Sequence, residues 1–144
     1  MDVTATLETA ASAERVFECV ADLGRYPDWL DIVPRAVPDD PSEGDEGPAW
    51  SVDLRARVGP LARSKRLRMV RTVNEPSTRA VFERREHDGR QHAPWVLTAS
   101  VLQGTGGATL EMHLHYGGRF GGKPLEMILH QEIERSRGRL LALL

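Results

Sequence analysis

The chain has a single cysteine, Cys19, among 144 residues. No intrachain disulfide can form, and that usage fits a reducing compartment. The length suggests one domain, 1–144, long enough to bury a core without covalent staples. Long apolar runs are missing as well, and no leader with a basic start and an apolar centre opens the chain. A cytoplasmic protein with no integral membrane association is therefore expected. Excess positive charge is also lacking, since the formal net charge is −2. That argues against a dedicated nucleic-acid binder. There is no Ser-His-Asp order, phosphate-cradling loop or cysteine-based zinc spacing. "GTGG" and "GGRFGG" lack the strand–helix context and the lysine of a nucleotide loop, and read as turns. What remains, at 40 % hydrophobic and 28 % charged residues, is the composition of an ordinary globular domain.

Two patterns are present. Val3, Ala5 and Leu7 alternate with polar residues as a short strand. Ser12 offers an N-cap to a helix carrying Val16, Phe17, Val20 and Ala21, which should end near Gly24. Cys19 lies in its apolar pattern as a buried small hydrophobe. Pro27 can open a second short helix with Tyr26, Trp29, Leu30 and Ile32 as contacts. Asp39 to Pro48 is acidic, rich in Pro and Gly, and reads as a loop.

From Ala49 the period becomes two. Strands are expected at about 49–58, 63–74, 79–87, 95–101 and 110–116, separated by turn signals at Gly59-Pro60, Glu75-Pro76-Ser77, Asp88-Gly89-Arg90 and "QGTGG". A helix follows from about Pro124, with an apolar stripe of Leu125, Ile128, Leu129, Ile133, Leu140, Leu141 and Leu144. Short turns make the strands antiparallel, and the last helix is the only large element able to cover their apolar face. The fold class is α+β.

The most basic stretch is "RARVGPLARSKRLRMVR", Arg55 to Arg71, where seven of seventeen residues are Arg or Lys. On a hairpin its charges divide. Arg55, Arg57, Arg66 and Arg68 take an outer face, with Asp53, Glu83 and the acidic loop as partial balance. Ala56, Val58, Leu67 and Met69 take the inner one. Arg63 and Lys65 fall on the inner parity near the tip, where they could rim a cavity mouth, and Arg71 lies deeper.

The stretch "SAERVFECVADLGRYPDWL" (Ser12 to Leu30), the strand meander and the amphipathic C-terminal helix together resemble the START / Bet v 1-like superfamily, in particular its polyketide cyclase/dehydrase and lipid-transport branch. The resemblance covers essentially the whole chain. It implies a helix-grip fold, in which a curved seven-stranded antiparallel sheet wraps around the long C-terminal helix, with two short helices between strands 1 and 2. It also implies a deep cavity for an apolar or amphipathic small molecule. The superfamily has no universal catalytic motif, so fold alone does not choose an activity.

Strand parity supplies the candidate ligand-binding residues. One hairpin should pair Val73 with Ala80, Arg71 with Phe82, Met69 with Arg84 and Leu67 with Glu86. Another should pair Val101 with Leu110, Ala99 with Met112, Leu97 with Leu114 and Trp95 with Tyr116. With Trp50 and Leu54 on the neighbouring strand and Leu125, Ile128 and Leu129 on the helix, these form an apolar wall. Arg71 or Arg84 could hold a carboxylate, phenolate or carbonyl oxygen at one end of such a ligand; alternatively Arg84 pairs with Glu86. His113 and His115 share the outer face and lack an obvious third metal ligand. His130 lies at the solvent edge of the helix. No catalytic residue, metal or cofactor is expected. A carrier of an apolar small molecule (lipid, polyketide or quinone-like) is the leading reading, and a polyketide aromatase/cyclase or dehydratase is the first alternative. A protein-interaction module, docking a protein partner through the acidic loop and basic strands, is the second.

Overall fold

The computed structural model describes residues 1–58, 60–119 and 122–144, without the side chains of Val58 and Gly122. Seven strands form one antiparallel sheet: β1 (Asp2–Thr9), β2 (Arg35–Asp39), β3 (Ala49–Val58), β4 (Leu61–Glu75), β5 (Arg79–Arg84), β6 (Trp95–Gln103) and β7 (Ala108–Tyr116). Their spatial order is β1-β7-β6-β5-β4-β3-β2, so β1 closes onto the last strand and everything from β2 onward is a meander. Helix α1 (Ala13–Val20) and a 3-10 helix (Leu23–Asp28) lie between β1 and β2, and α2 (Gly122–Leu143) follows the sheet. This is the helix-grip architecture. The turn expected at Gly59-Pro60 rests partly on Gly59, which lies outside the described residues, as do Phe120 and Gly121 of the "GGRFGG" stretch and the expected inward side chain of Val58.

Local chemistry explains the element ends. The Ser12 hydroxyl accepts from the Arg15 backbone N–H and caps α1. The Asp22 carboxylate accepts from Gly24 N–H and opens the 3-10 helix, so α1 stops at Val20, short of Gly24. Gly107 carries the β6–β7 turn at φ +144°, and a Cβ there would run into the Thr9 carbonyl of β1; only glycine lets these chains approach.

Besides the early end of α1 and a 3-10 helix that starts at Leu23 and contains Pro27 instead of opening at it, three sequence expectations need correction. No strand is expected from the sequence at Arg35–Asp39, yet this segment pairs with β3 as the sheet edge. Pro38 is tolerated there because an edge strand has a free side. The β6–β7 register is the expected one, Trp95↔Tyr116 through Val101↔Leu110. The β4–β5 register holds for Met69↔Arg84 and Arg71↔Phe82, then slips, because a bulge between Arg71 and Val73 pairs Val73 with Val81 instead of Ala80. Strand β5 ends at Arg84, so Leu67 has no β partner in Glu86; its carboxylate instead accepts from Arg68 N–H at 2.9 Å.

The outer face of the β3–β4 hairpin is neutralised in its basal half. Arg66 donates twice to Asp53, at 2.7 and 3.2 Å. The acidic loop folds back over Arg68, whose guanidinium reaches Asp39 at 2.8 Å and Asp45 at 2.8 and 3.1 Å. Hydrogen bonds from Arg68 first, with smaller help from Ser42 N–H and His87, hold the Asp45 carboxyl well below the usual carboxylate range. Asp39 and Asp45 are thereby engaged within the chain, and Glu46 reaches Arg85 at 3.3 Å, while Asp40 and Glu43 are exposed.

Candidate functional site

The inner face of the sheet and α2 enclose a cavity of about 810 Å³. Its walls are overwhelmingly apolar. Of the residues expected to bind ligand, Leu54, Met69, Trp95, Leu97, Met112, Leu114, Tyr116, Leu125 and Leu129 line it. Alternation puts them there: Leu54 on β3, Met69 on β4, Leu97 on β6 and Leu114 on β7 all sit on the inward parity. Trp95 and Tyr116 face each other across β6 and β7 with ring centroids 4.5 Å apart. The β1 side chains Val3, Ala5 and Leu7 complete that wall, and Tyr26, Trp29, Leu30, Ile32 and Val33 extend it from the 3-10 helix and the segment after it.

Five expected residues fall elsewhere. Trp50 and Phe82 belong to the solid part of the core, packed edge to face at 5.8 Å, with Tyr26 against Phe82 at 6.3 Å. Ile128 is half-buried on α2 and does not face the cavity. Arg71 points inward as expected, but its guanidinium donates to the Ala21 carbonyl at 2.8 Å, at the end of α1. An arginine that caps a helix end is favourably placed against the helix dipole, and Arg71 does not line the cavity. Arg84 pairs with Glu86 at 3.2 Å, its side chain 8 % exposed. The alternative reading of that residue is thus the observed one.

The polar groups of the cavity come from other places. Arg63, Ser64 and Lys65 of β4 line it and are exposed, as are Leu61 and Pro124. Residues that both line a cavity and meet solvent mark its mouth, which therefore lies between the tip of the β3–β4 hairpin and the first turn of α2. Desolvation first, then the charge of Arg84, lowers the Lys65 pKa, while Glu86 acts in the opposite sense. From α2 come Glu132, Ser136 and Arg137. The Ser136 hydroxyl donates back to the Glu132 carbonyl, and Arg137 donates to the Thr6 carbonyl of β1, tying the helix to the sheet. Glu132 adds a carboxylate to the cavity wall that strand parity did not point to. On sequence it lies beside the apolar stripe, and only the position of the cavity makes that flank a wall.

The histidines behave as the parity indicated. His113 and His115 sit on the outer face, each 3.0 Å from the Asp2 carboxylate. His130 is exposed on α2, 3.9 Å from Glu126. Among the described residues, no group of His, Cys, Asp and Glu is arranged to hold a metal ion. Among the same residues no helix is long and apolar enough to cross a membrane.

A curved antiparallel sheet closed by one helix over an apolar cavity defines the class of helix-grip, small-molecule cavity proteins. Within that class, the chain belongs to the polyketide cyclase/dehydrase and lipid transport family, whose model matches residues 1–144. No curated protein matches the sequence. Solved structures match in fold. A START superfamily protein from Mycobacterium smegmatis aligns with a TM-score of 0.72 at 16 % identity, covering 98 % of this chain and 94 % of that one. Protein CV1439 from Chromobacterium violaceum aligns with a TM-score of 0.70 at 14 % identity, covering 99 % and 95 %. The Zhui aromatase/cyclase from Streptomyces sp. R1128 aligns with a TM-score of 0.67 at 15 % identity, covering 99 % and 92 %.

Proposed function

We propose that the protein binds and carries an amphipathic small molecule, with its apolar body inside the cavity and an acidic or carbonyl head against Arg63 and Lys65 at the mouth. The observation that carries this reading is the cavity itself. About 810 Å³ of space with nearly all-apolar walls is left open in the folded chain, and a core normally closes such space. The volume lies in the range of ordinary small-molecule pockets, where a few placed polar groups orient an apolar ligand. We place the carrier in the cytoplasm, where its lone thiol stays reduced.

Native mass spectrometry of protein purified from its own host tests the reading. A co-purifying lipid-, polyketide- or quinone-like molecule supports it. A protein that arrives empty, and that binds no long-chain fatty acid on titration, would sink it.

One observation favours a second reading, a cyclase or dehydratase. Glu132 is a carboxylate in the cavity wall, with its side chain 19 % exposed and 3.3 Å from Arg135. A carboxylate there could take a proton from a folded poly-β-ketone chain. Turnover of such a chain by the native protein, abolished in Glu132→Gln with binding retained, would establish it.

A further inference from the structure

The outer face of the β3–β4 hairpin divides into two halves. In the basal half every cation described above meets an acid. The distal half has none to offer: residues 54–65 contain no Asp or Glu. Asp53, the nearest acid along the strand, is already held by Arg66 at 2.7 Å and lies 3.8 Å from Arg35. Arg55 and Arg57 are exposed on that outer face and make no side-chain hydrogen bond or ion pair among the described residues. Between them and the inward cations Arg63 and Lys65 lies an exposed aliphatic tip, Pro60, Leu61 and Ala62. Leu61 is 59 % exposed and also lines the cavity.

We infer that this tip is a docking surface for an anionic lipid bilayer, with Leu61 entering the headgroup layer and Arg55 and Arg57 meeting lipid phosphates. Charge complementarity selects the occupant, because Arg55 and Arg57 have no acidic partner among the described residues and flank an exposed apolar point. A nucleic-acid surface would interleave aromatic side chains with such charges, and the exposed tip residues are all aliphatic. Position adds a reason. The tip borders the mouth, so a ligand leaving a bilayer there enters the cavity without crossing water. The surface gives the carrier reading of the previous subsection a place to load, and in that sense rests on it.

Cosedimentation with vesicles tests the surface. The full chain should bind vesicles of phosphatidylcholine with phosphatidylglycerol, bind pure phosphatidylcholine weakly, and release from the anionic vesicles in high salt. Each cation near an anionic surface contributes a factor of about five in affinity. Arg57→Ser should therefore weaken binding about fivefold, and Arg55→Ser with Arg57→Ser about 25-fold. Leu61→Ser should weaken it about tenfold through lost apolar burial. Arg79→Ser removes an exposed arginine at the other end of β4 and β5 and should change nothing. Equal loss from Arg79→Ser and Arg57→Ser would overturn the surface, as would equal binding to both vesicle types. Retention of a DNA duplex or a protein partner with no vesicle binding would overturn it too. The failures remain separable through cis-parinaric acid, a fluorescent fatty acid, titrated without vesicles. The double arginine variant should bind it like the native chain. Binding of the fatty acid without vesicles removes the surface and leaves the carrier, and binding of vesicles without the fatty acid does the reverse.

Discussion

The inner face of the sheet is filled at one end and hollow at the other, although the same alternation of residues builds both. At the filled end α1 packs against β6 and β7, and the 3-10 helix against β2 and β3. Ala80 and Ala99 are fully buried there, and Tyr26, Trp50 and Phe82 close the space between the layers. At the hollow end α2 spans the sheet, in contact with β1 and β3, and the segment after the 3-10 helix completes the wall. Leu54, Leu97, Met112, Leu114 and Leu125 remain half-buried around the cavity. Small side chains on β5 and β6 let one helix approach closely, while larger ones opposite α2 ring a space they do not fill. Apolar patterning chooses the face of a strand. The distance of the covering helix decides whether that face becomes core or pocket.

Truncations give the sharpest way to break this contrast. Phe82→Ala should cost about 4 kcal/mol in a denaturation experiment, because its cavity would open within packed core. Leu97→Ala, already facing open space, should cost about 1 kcal/mol, since fewer contacts are lost. Equal costs would erase the distinction. Arg71→Ala tests the boundary between the two ends. Losing its charged hydrogen bond to α1 should cost about 2 kcal/mol, with fatty-acid affinity unchanged in the molecules that stay folded.

At the mouth, Lys65→Met should weaken a carboxylate ligand about tenfold, a loss typical of one charge-assisted hydrogen bond. The methyl ester of the same ligand, which keeps only a neutral carbonyl for Lys65, should lose far less. Because the Lys65 pKa is depressed below 10.5, the charged form that grips a carboxylate prevails at low pH. Affinity should then fall as pH rises through a window that begins earlier than for an ordinary lysine, a trend calorimetry can follow. Leu114→Trp should have the smallest effect on stability, under about 1 kcal/mol, because the larger ring enters space instead of displacing neighbours. Ligand capacity should drop all the same, and a loss of several kcal/mol would show that the hollow end is packed in solution.

Much of the fold was legible before any coordinates. The period of two from Ala49 onward, the turn residues and the helical stripe of α2 pointed to an antiparallel sheet covered by the last helix, and the family resemblance implied the seven-stranded helix-grip layout. The period and the turns also gave the β6–β7 register, where an uninterrupted alternation leaves no room for a slip. The bulge at Arg71–Val73 was hidden because no glycine or proline marks it. Strand β2 was hidden because Pro38 and a flanking acidic run read as loop, and only the pairing with β3 makes an edge strand of it. The site was legible to the extent that parity decides it. Nine of the expected residues line the cavity, whereas Trp50, Phe82 and Ile128 lie off it, since parity gives the face and not the depth along it. Arg71 shows the other limit: its partner, the carbonyl of Ala21, lies 50 residues away in sequence. Glu132 was overlooked because a carboxylate beside a helical stripe ordinarily meets water.

On the carrier reading, an open cavity would couple the abundance of the protein to the supply of its occupant. An occupant that binds only the folded chain adds RT ln(1 + [L]/Kd) to the folding free energy, about 2.7 kcal/mol at a hundredfold excess over Kd. A margin of that size shifts the fraction of chains open to proteolysis by about a hundredfold. On that reading the empty molecule would be the shorter-lived one, and a cell starved of the ligand would clear the protein without any dedicated regulator.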